Sequence, residues 1–249
     1  MVSHPARSIL LCSTPRSGST LLCSLLASSG VAGRPESWFR REDRAEYATG
    51  WGVPERDFPA FLQSAIRAGQ SPNATFACRV MADTREELLT DLRTLFPHGS
   101  DSAILTHAFG RIDYVFLTRD DTVAQAVSRH IAEAGGLWHR HPEGSVLEAR
   151  PGINGSAPDY DFAAIDAYRR EAEAAAQDWH NWFAQQAIDP INVTYEALAA
   201  DPTGTTYRLL TQLGLTAVAP IRAGTSRLAG KHNIDWAARY RAERSERRQ

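Results

Sequence analysis

The sequence predicts an α/β fold with a central, mostly parallel sheet flanked by helices, and three observations predict it. Residues 8–13 form an apolar run too short for a buried helix. A Pro/Gly/Ser turn follows, then leucines at helical spacing, so the stretch reads as buried strand, tight loop and helix. Residues 112–118 combine β-branched and aromatic side chains and lead into an Asp-capped helical pattern, the mark of a central parallel strand with crossover helices. Elsewhere, strand-length and helix-length patterns alternate along the chain, which is how βαβ units are written.

At 249 residues the chain is within the range of one α/β domain with a sizeable core, so a single domain over 1–249 is expected. The formal net charge of -2 gives no general attraction to nucleic acid or anionic membrane, so an anion site must be local. Residues 1–7 lack the pattern of a secretory signal, and no apolar run approaches the roughly 18 to 20 residues that span a bilayer. A cytoplasmic protein without stable membrane insertion is expected. Cys12, Cys23 and Cys78 sit in apolar segments without metal-ligand spacing and are expected as core thiols.

After the first helix, Gly30 and Gly33 form a break and Pro35 forces an extended path through Glu36, Ser37 and Trp38. Residues 40–55 are polar and irregular. Phe58, Phe61, Leu62, Ala65 and Ile66 recur at helical spacing up to Gly69, and 75–81 reads as a second buried strand with Arg79 in its middle. Helices are expected over 86–96 and 102–109. After the central strand come Arg119, Asp120 and Asp121, then a helix with Val123, Ala126, Val127 and Ile131 on one face. The stretch 135–158 is rich in Gly, Pro and His and long for a loop, and it reads as a lid or a partner contact. His139 and His141 within it lack neighbouring carboxylate or cysteine ligands, so no metal site is expected. Residues 160–187 form a long helix ending in Trp179, Trp182 and Phe183, 190–194 a last strand, and Asp201 with Pro202 starts a helix that ends at Gly214. The tail, 222–249, matches neither core nor a regular amphipathic helix, and either closes over an anion or forms a charged end.

The turn at residues 14–20 carries the chemistry. A helix beginning near Ser17 leaves its first N–H groups without intrahelical partners and presents the positive end of its dipole. Gly18 lets backbone approach a ligand closely, Arg16 can pair bidentately with phosphate or sulfonate oxygens, and Ser17, Ser19 and Thr20 add hydroxyls. The alternative is an ordinary strand-to-helix turn with capping hydroxyls and a solvated arginine. Arg119 stands at the end of the central strand, where open parallel sheets bind ligands. Two cationic strand ends suggest a ligand with two anionic groups. Glu36, between a proline and aromatics, has surroundings that raise carboxylate basicity and suit a general base for an alcohol; otherwise it is a solvated glutamate or a partner of Arg40 or Arg41. Arg79 needs a partner in its strand, either a substrate anion or a carboxylate such as Asp83.

Residues Thr14 to Thr20 resemble the 5′-phosphosulfate loop of sulfotransferases, and Arg119 with Ser128 resembles their 3′-phosphate pair. Gly30 to Pro35, Gln125 to Ser128, Trp179 to Phe183, Val193 to Leu198 and Trp236 to Arg241 fall in family-like order, so nearly the whole chain resembles the bacterial Stf0-type sulfotransferases. The resemblance implies a three-layer, P-loop-like sulfotransferase fold. It also implies transfer, without metal, of a sulfonate group from 3′-phosphoadenosine 5′-phosphosulfate (PAPS) to a hydroxyl of a carbohydrate, glycolipid or other small-molecule alcohol. By this resemblance Arg16, Ser17, Gly18, Ser19 and Thr20 hold the phosphosulfate, and Arg119, Ser128 and Arg227 hold the 3′-phosphate end. Arg16 also stabilises charge on the leaving nucleotide. Glu36 is the implied base, although an ungapped match sets the family's glutamate against Ser37, and Asp83 and His107 are the other candidates. Arg79, where the family usually has lysine, and Trp138 are assigned to the acceptor. A homodimer is expected by analogy. Two rival readings stand beside this one: a P-loop kinase or NTPase, against which the lack of a lysine after Gly18 argues, and a non-catalytic nucleotide-binding member of the fold.

Overall fold

Four strands, β1 (Arg7–Ser13), β2 (Thr75–Met81), β3 (Arg111–Thr118) and β6 (Ile191–Thr194), pair in the order β2-β1-β3-β6, every pair parallel. The structure is a computed structural model that describes residues 5–140, 146–149, 159–224 and 231–247. Because successive side chains of a strand point to opposite faces, the strands divide between two apolar layers. Leu10, Cys12, Phe76, Cys78, Val80 and Phe116 face one side and meet α3 (Phe58–Gly69), α4 (Ala82–Arg93), α5 (Asp101–Phe109) and α7 (Phe162–Gln185). Ile9, Leu11, Ala77, Val115 and Leu117 face the other side and meet α1 (Ser19–Ser28) and α9 (Pro202–Gln212). The three-layer, mostly parallel architecture expected from the sequence is the one observed. The uninterrupted apolar runs follow from burial on both faces.

A third cluster joins α6 (Thr122–Gly135), α7 and α10 (Lys231–Glu246) around Ala126, Val127, Ile165 and Tyr240. Tyr240 is fully buried. Its hydroxyl donates to Asp166 Oδ1 at 2.5 Å and accepts from Arg169 Nε at 2.9 Å, while Arg241 reaches Asp121 at the start of α6 at 2.7 Å. The hydrogen bond from Tyr240, with those from Arg170 and Arg169, holds the Asp166 carboxyl well below the usual carboxylate range.

Several boundaries differ from expectation. Residues 40–55 contain α2 (Arg41–Trp51) rather than irregular chain. This helix has little apolar pattern, and its inner side is held by Arg44 over the Phe58 and Phe61 rings and by Tyr47 and Trp51 against Trp38. The helix expected at 86 starts at Ala82, directly from the end of β2. The tail is helical through α10 because one deeply buried tyrosine, rather than an apolar stripe, docks it. Within 135–158 a hairpin forms between β4 (Leu137–Arg140) and β5 (Val146–Ala149); residues 141–145 and 150–158 lie outside the described residues. No described helix is long and apolar enough to cross a membrane.

All three cysteines are free and buried, as expected of core thiols. Burial pushes the Cys23 thiol up to about 12, with Arg79 opposing the rise and Glu36 adding to it. Burial likewise raises Cys12 and Cys78 well above the ordinary thiol value of 9.0. The stability conferred by such protonated thiols is complete below the unfolded-state pKa and is lost as pH rises beyond it, because the unfolded chain ionises first. Native protein is therefore expected to resist a thiol reagent at pH 8, and its urea midpoint is expected to be lower at pH 10 than at pH 7. Rapid labelling of the native protein would contradict the buried placement.

Candidate active site

The carboxyl ends of β1 and β3 lie side by side, and the chain leaves them in different directions. β1 feeds α1 on one face of the sheet, while the course from β2 crosses to β3 on the other side of β1. Such a switch point opens a crevice above the strand ends. Residues 14–18 form the turn there. Ser17 donates to the Thr14 carbonyl from its hydroxyl at 2.8 Å and from its backbone N–H at 3.3 Å. Arg16 and Gly18 adopt left-handed conformations, with φ of 63° and 89°. For Arg16 this is a costly backbone state, held by its surroundings.

Gly18 is the N-cap of α1, and no side chain caps that helix. Asp57, Ser100, Asp121, Asp161 and Asp201 cap α3, α5, α6, α7 and α9, whereas α2 and α4, like α1, have no side-chain cap. The amide end of α1, at the mouth of the crevice, is thus left for a ligand to cap. A Cβ added to Gly18 would stand 2.6 Å from the Tyr195 ring, so only glycine fits beside it.

Four side chains brace the turn from outside. Gln125, 2% exposed on α6, donates from Nε2 to Thr14 Oγ1 at 2.9 Å and to the Pro15 carbonyl at 2.6 Å. Trp179 Nε1 on α7 donates to the Ser13 carbonyl at 3.0 Å. Arg119 donates to the Arg16 carbonyl at 3.2 Å and lies over the Tyr195 ring, 4.3 Å from its centroid. Arg16 Nε in turn donates to Ser128 Oγ at 3.1 Å. Arg16, Ser128 and Arg119 therefore form one connected group spanning the strand-end loop and α6.

On the β2 side, Arg79 donates to Ser37 Oγ at 2.9 Å, Thr20 Oγ1 at 2.8 Å and Ser19 Oγ at 3.5 Å. It is thereby aimed at the first turn of α1. Of the two partners expected from the sequence, a substrate anion or a carboxylate such as Asp83, the second gives way to these hydroxyls. Glu36 is bridged by its backbone to Cys78, and its carbonyl accepts from the Arg79 N–H at 2.9 Å, leaving its side chain exposed beside β2. Its charge is felt by Cys23 and by Tyr47, whose hydroxyl burial chiefly, and Glu36 next, raise to about 12.

Residues 8–243 match the family described as Stf0 sulphotransferase. The chain belongs to this family. It is 26% identical to the trehalose 2-sulfotransferase of Mycobacterium tuberculosis (strain ATCC 35801 / TMC 107 / Erdman), over 97% of both chains, and 25% identical to the trehalose 2-sulfotransferase of Mycolicibacterium smegmatis, over 98% of this chain and 97% of the relative. Among solved structures, a sulfotransferase domain from the curacin biosynthetic pathway superposes with a TM-score of 0.51 at 16% identity, covering 93% of this chain and 83% of that one; this likeness shows a shared fold. The protein is a sulfotransferase, and the kinase or NTPase reading falls away.

In this Stf0 sulfotransferase the structure gathers Arg16 to Thr20, Arg119, Ser128 and Arg79 at one end of the sheet and places Glu36 on its β2 edge. Asp83, in the first turn of α4, is at the same end. His107 is not: it is exposed near the end of α5, just before β3 begins, with its Nδ1 on the Ala103 carbonyl and its ring stacked on Phe96. Trp138 falls in β4, and Arg227 lies outside the described residues. Sequence reasoning missed Gln125, Tyr195 and Ser37 as site residues and took Trp179 as core alone. A polar Gln beside the buried face of α6 was the one available signal.

Replacing Gly18 by alanine is expected to lower stability by about 1–3 kcal/mol, through positive φ and the Tyr195 contact together. Urea unfolding of Gly18→Ala measures it, and an unchanged midpoint would show that the ring moves aside without cost.

Proposed function

We propose that this sulfotransferase moves a sulfonate group from PAPS to a hydroxyl of a carbohydrate or glycolipid acceptor, acting as one domain over 1–249, in the cytoplasm and as a homodimer. The observation that carries the donor assignment is the uncapped amide end of α1, connected through Arg16 to Ser128 and Arg119. Two anion-binding points joined by one arginine suit a nucleotide with a phosphosulfate at one end and a phosphate at the other. The left-handed turn at Gly18 and the dipole of α1 suit the phosphosulfate. The carbohydrate assignment is supported by the trehalose 2-sulfotransferases. The dimer rests on the family resemblance, and the single domain on the length of 249 residues.

In the chemistry, the bound donor supplies an activated sulfonate. Glu36 takes the acceptor's hydroxyl proton as that oxygen forms its new bond to sulfur, and the bridging S–O bond to the nucleotide phosphate breaks on the opposite side. Charge then grows on the departing phosphate oxygen. Arg16 and the amides of α1 neutralise it with donors already in place, which is where preorganised electrostatics contribute most. Arg79, held by Ser37 and Thr20, faces the transferring group's equatorial oxygens and the acceptor, and Trp138 contributes to the acceptor side. Ser19 and Thr20 add hydroxyl contacts. Arg119, stacked on Tyr195, and Ser128 hold the 3′-phosphate, with Arg227 as a further cation from the tail.

3′-Phosphoadenosine 5′-phosphate is expected to raise the melting temperature of the wild-type protein. Arg16→Ala and Arg119→Ala are each expected to weaken its binding about tenfold or more, the loss typical of a charge-assisted contact. Absence of any shift with the wild type would refute the donor assignment. Glu36→Gln is expected to reduce turnover about 10²–10⁴-fold while nucleotide affinity is retained. Near-normal turnover of this variant, with trehalose as the first acceptor offered, would exclude Glu36 as the base.

A further inference from the structure

β6 runs beside β3 with Thr194 opposite Thr118. The chain leaves the two parallel strands level, so the residues after Thr118 face the residues after Thr194. Arg119 meets Tyr195, whose ring centroid is 4.3 Å from the guanidinium carbon. Glu196 meets the two residues that follow Arg119: its Oε2 accepts from the Asp120 N–H at 3.2 Å and its Oε1 from the Asp121 N–H at 3.3 Å. Tyr195 and Glu196 open a short helix, α8 (Tyr195–Ala200). It is fixed at its start by the Thr194 hydroxyl, which accepts from the Ala197 N–H at 3.2 Å, and in its middle by the fully buried Leu198.

A carboxylate that holds two successive amides, one on each oxygen, fixes the peptide planes on both sides of Asp120. The first of those planes carries the Arg119 carbonyl, so Arg119 is held through its backbone as well as through its contact with the Tyr195 ring. Among the described residues no cation pairs with Glu196, so its charge is directed to these amides. The far side of the same turn is also fastened. Asp121 caps α6 by accepting from the Ala124 N–H at 2.9 Å and pairs with Arg241 at 2.7 Å, and the Thr122 hydroxyl donates to Glu173 at 3.1 Å. A turn fastened at each residue from 119 to 122 gives its arginine one place to stand.

We propose that Glu196 is a positioning residue for Arg119, setting where that guanidinium stands relative to the amide end of α1. The role rests on the reading of Arg119 as a ligand of the donor's 3′-phosphate, and adds to it the group that keeps this arginine in place. The sign of its charge separates positioning from electrostatics. A carboxylate beside a phosphate site opposes the ligand by Coulomb repulsion, so charge alone makes neutral Glu196 variants bind the donor more tightly. Positioning makes them bind it more weakly.

The test is isothermal titration, without acceptor, of PAPS and of adenosine 5′-phosphosulfate, which lacks only the 3′-phosphate. The proteins are the wild type, Glu196→Gln, Glu196→Ala, Arg119→Ala and the double variant Glu196→Gln with Arg119→Ala. Glutamine keeps the volume of the side chain and turns a donor toward one of the two amides, while alanine removes both contacts. Each single Glu196 variant is expected to weaken PAPS binding about tenfold, the scale of lost charge-assisted hydrogen bonds. Affinity for adenosine 5′-phosphosulfate is expected to stay at the wild-type value, and Glu196→Gln to add no loss to Arg119→Ala. Unchanged or tighter PAPS binding in Glu196→Gln, an equal loss for the two nucleotides, or a further tenfold loss in the Arg119→Ala background would overturn the role. Failure of the wild type to bind PAPS, or equal wild-type affinity for the two nucleotides, would instead bring down the reading of the donor site, and the positioning role with it.

Discussion

The turn from β1 into α1 has to reverse direction within a few residues and still leave helix amides uncovered, and the rest of the molecule is arranged around that requirement. It does so with two left-handed residues, Arg16 and Gly18. A tight turn of this kind strands backbone carbonyls, and each is met from a different element: Ser13 by Trp179 of α7, Pro15 by Gln125 of α6, and Arg16 by Arg119 after β3. Buried carbonyls without such partners would cost about as much as the stability of many small domains allows. The loop shape is thus a property of three neighbouring segments as much as of its own residues.

Charge around this turn is handled differently from charge elsewhere. Structural arginines pair with carboxylates: Arg7 with Asp113, Arg85 with Asp178 and Glu86, and Arg169 with Asp166 and Glu173. Arg79 is held by hydroxyls of Ser37, Thr20 and Ser19, and the contacts described above for Arg16 and Arg119 are with a hydroxyl, a carbonyl and an aromatic face. Hydroxyls orient the Arg79 guanidinium without cancelling its charge. A chain with a formal net charge of -2 thereby sets a cation beside the first turn of α1, whose field acts over a short range at physiological salt.

Helices α7 and α10 serve the same end. α7 supplies Trp179 to the loop, Arg169 and Asp166 to Tyr240, and Tyr168 and Glu171 to Arg129. α10 returns Arg241 to the Asp121 cap of α6, the helix that carries Gln125 and Ser128. Docking through one buried tyrosine, its hydrogen bonds to Asp166 and Arg169, and the Arg241–Asp121 ion pair explains how a tail of such low amphipathicity remains part of the structure. It also explains why its helix is hard to read from composition.

Local pattern determined a good deal by itself. Residues 75–81 and the run into Thr118 read as buried strands because burial on both faces demands unbroken apolar stretches, and the anion character of residues 14–20 was legible because a Gly-containing strand-to-helix turn leaves amides exposed whatever surrounds it. Only tertiary structure decided the rest. α2 forms by laying aromatics and Arg44 against the core, and α10 forms by burying Tyr240, contacts that no periodicity records. The partners of Arg79 come from residues 42 and 59 or 60 positions away, and Gln125 reaches the loop across 110 and 111 residues. A sequence states which side chains can make hydrogen bonds; which of them meet is set by the strand order β2-β1-β3-β6, which brings the ends of distant segments to one crevice.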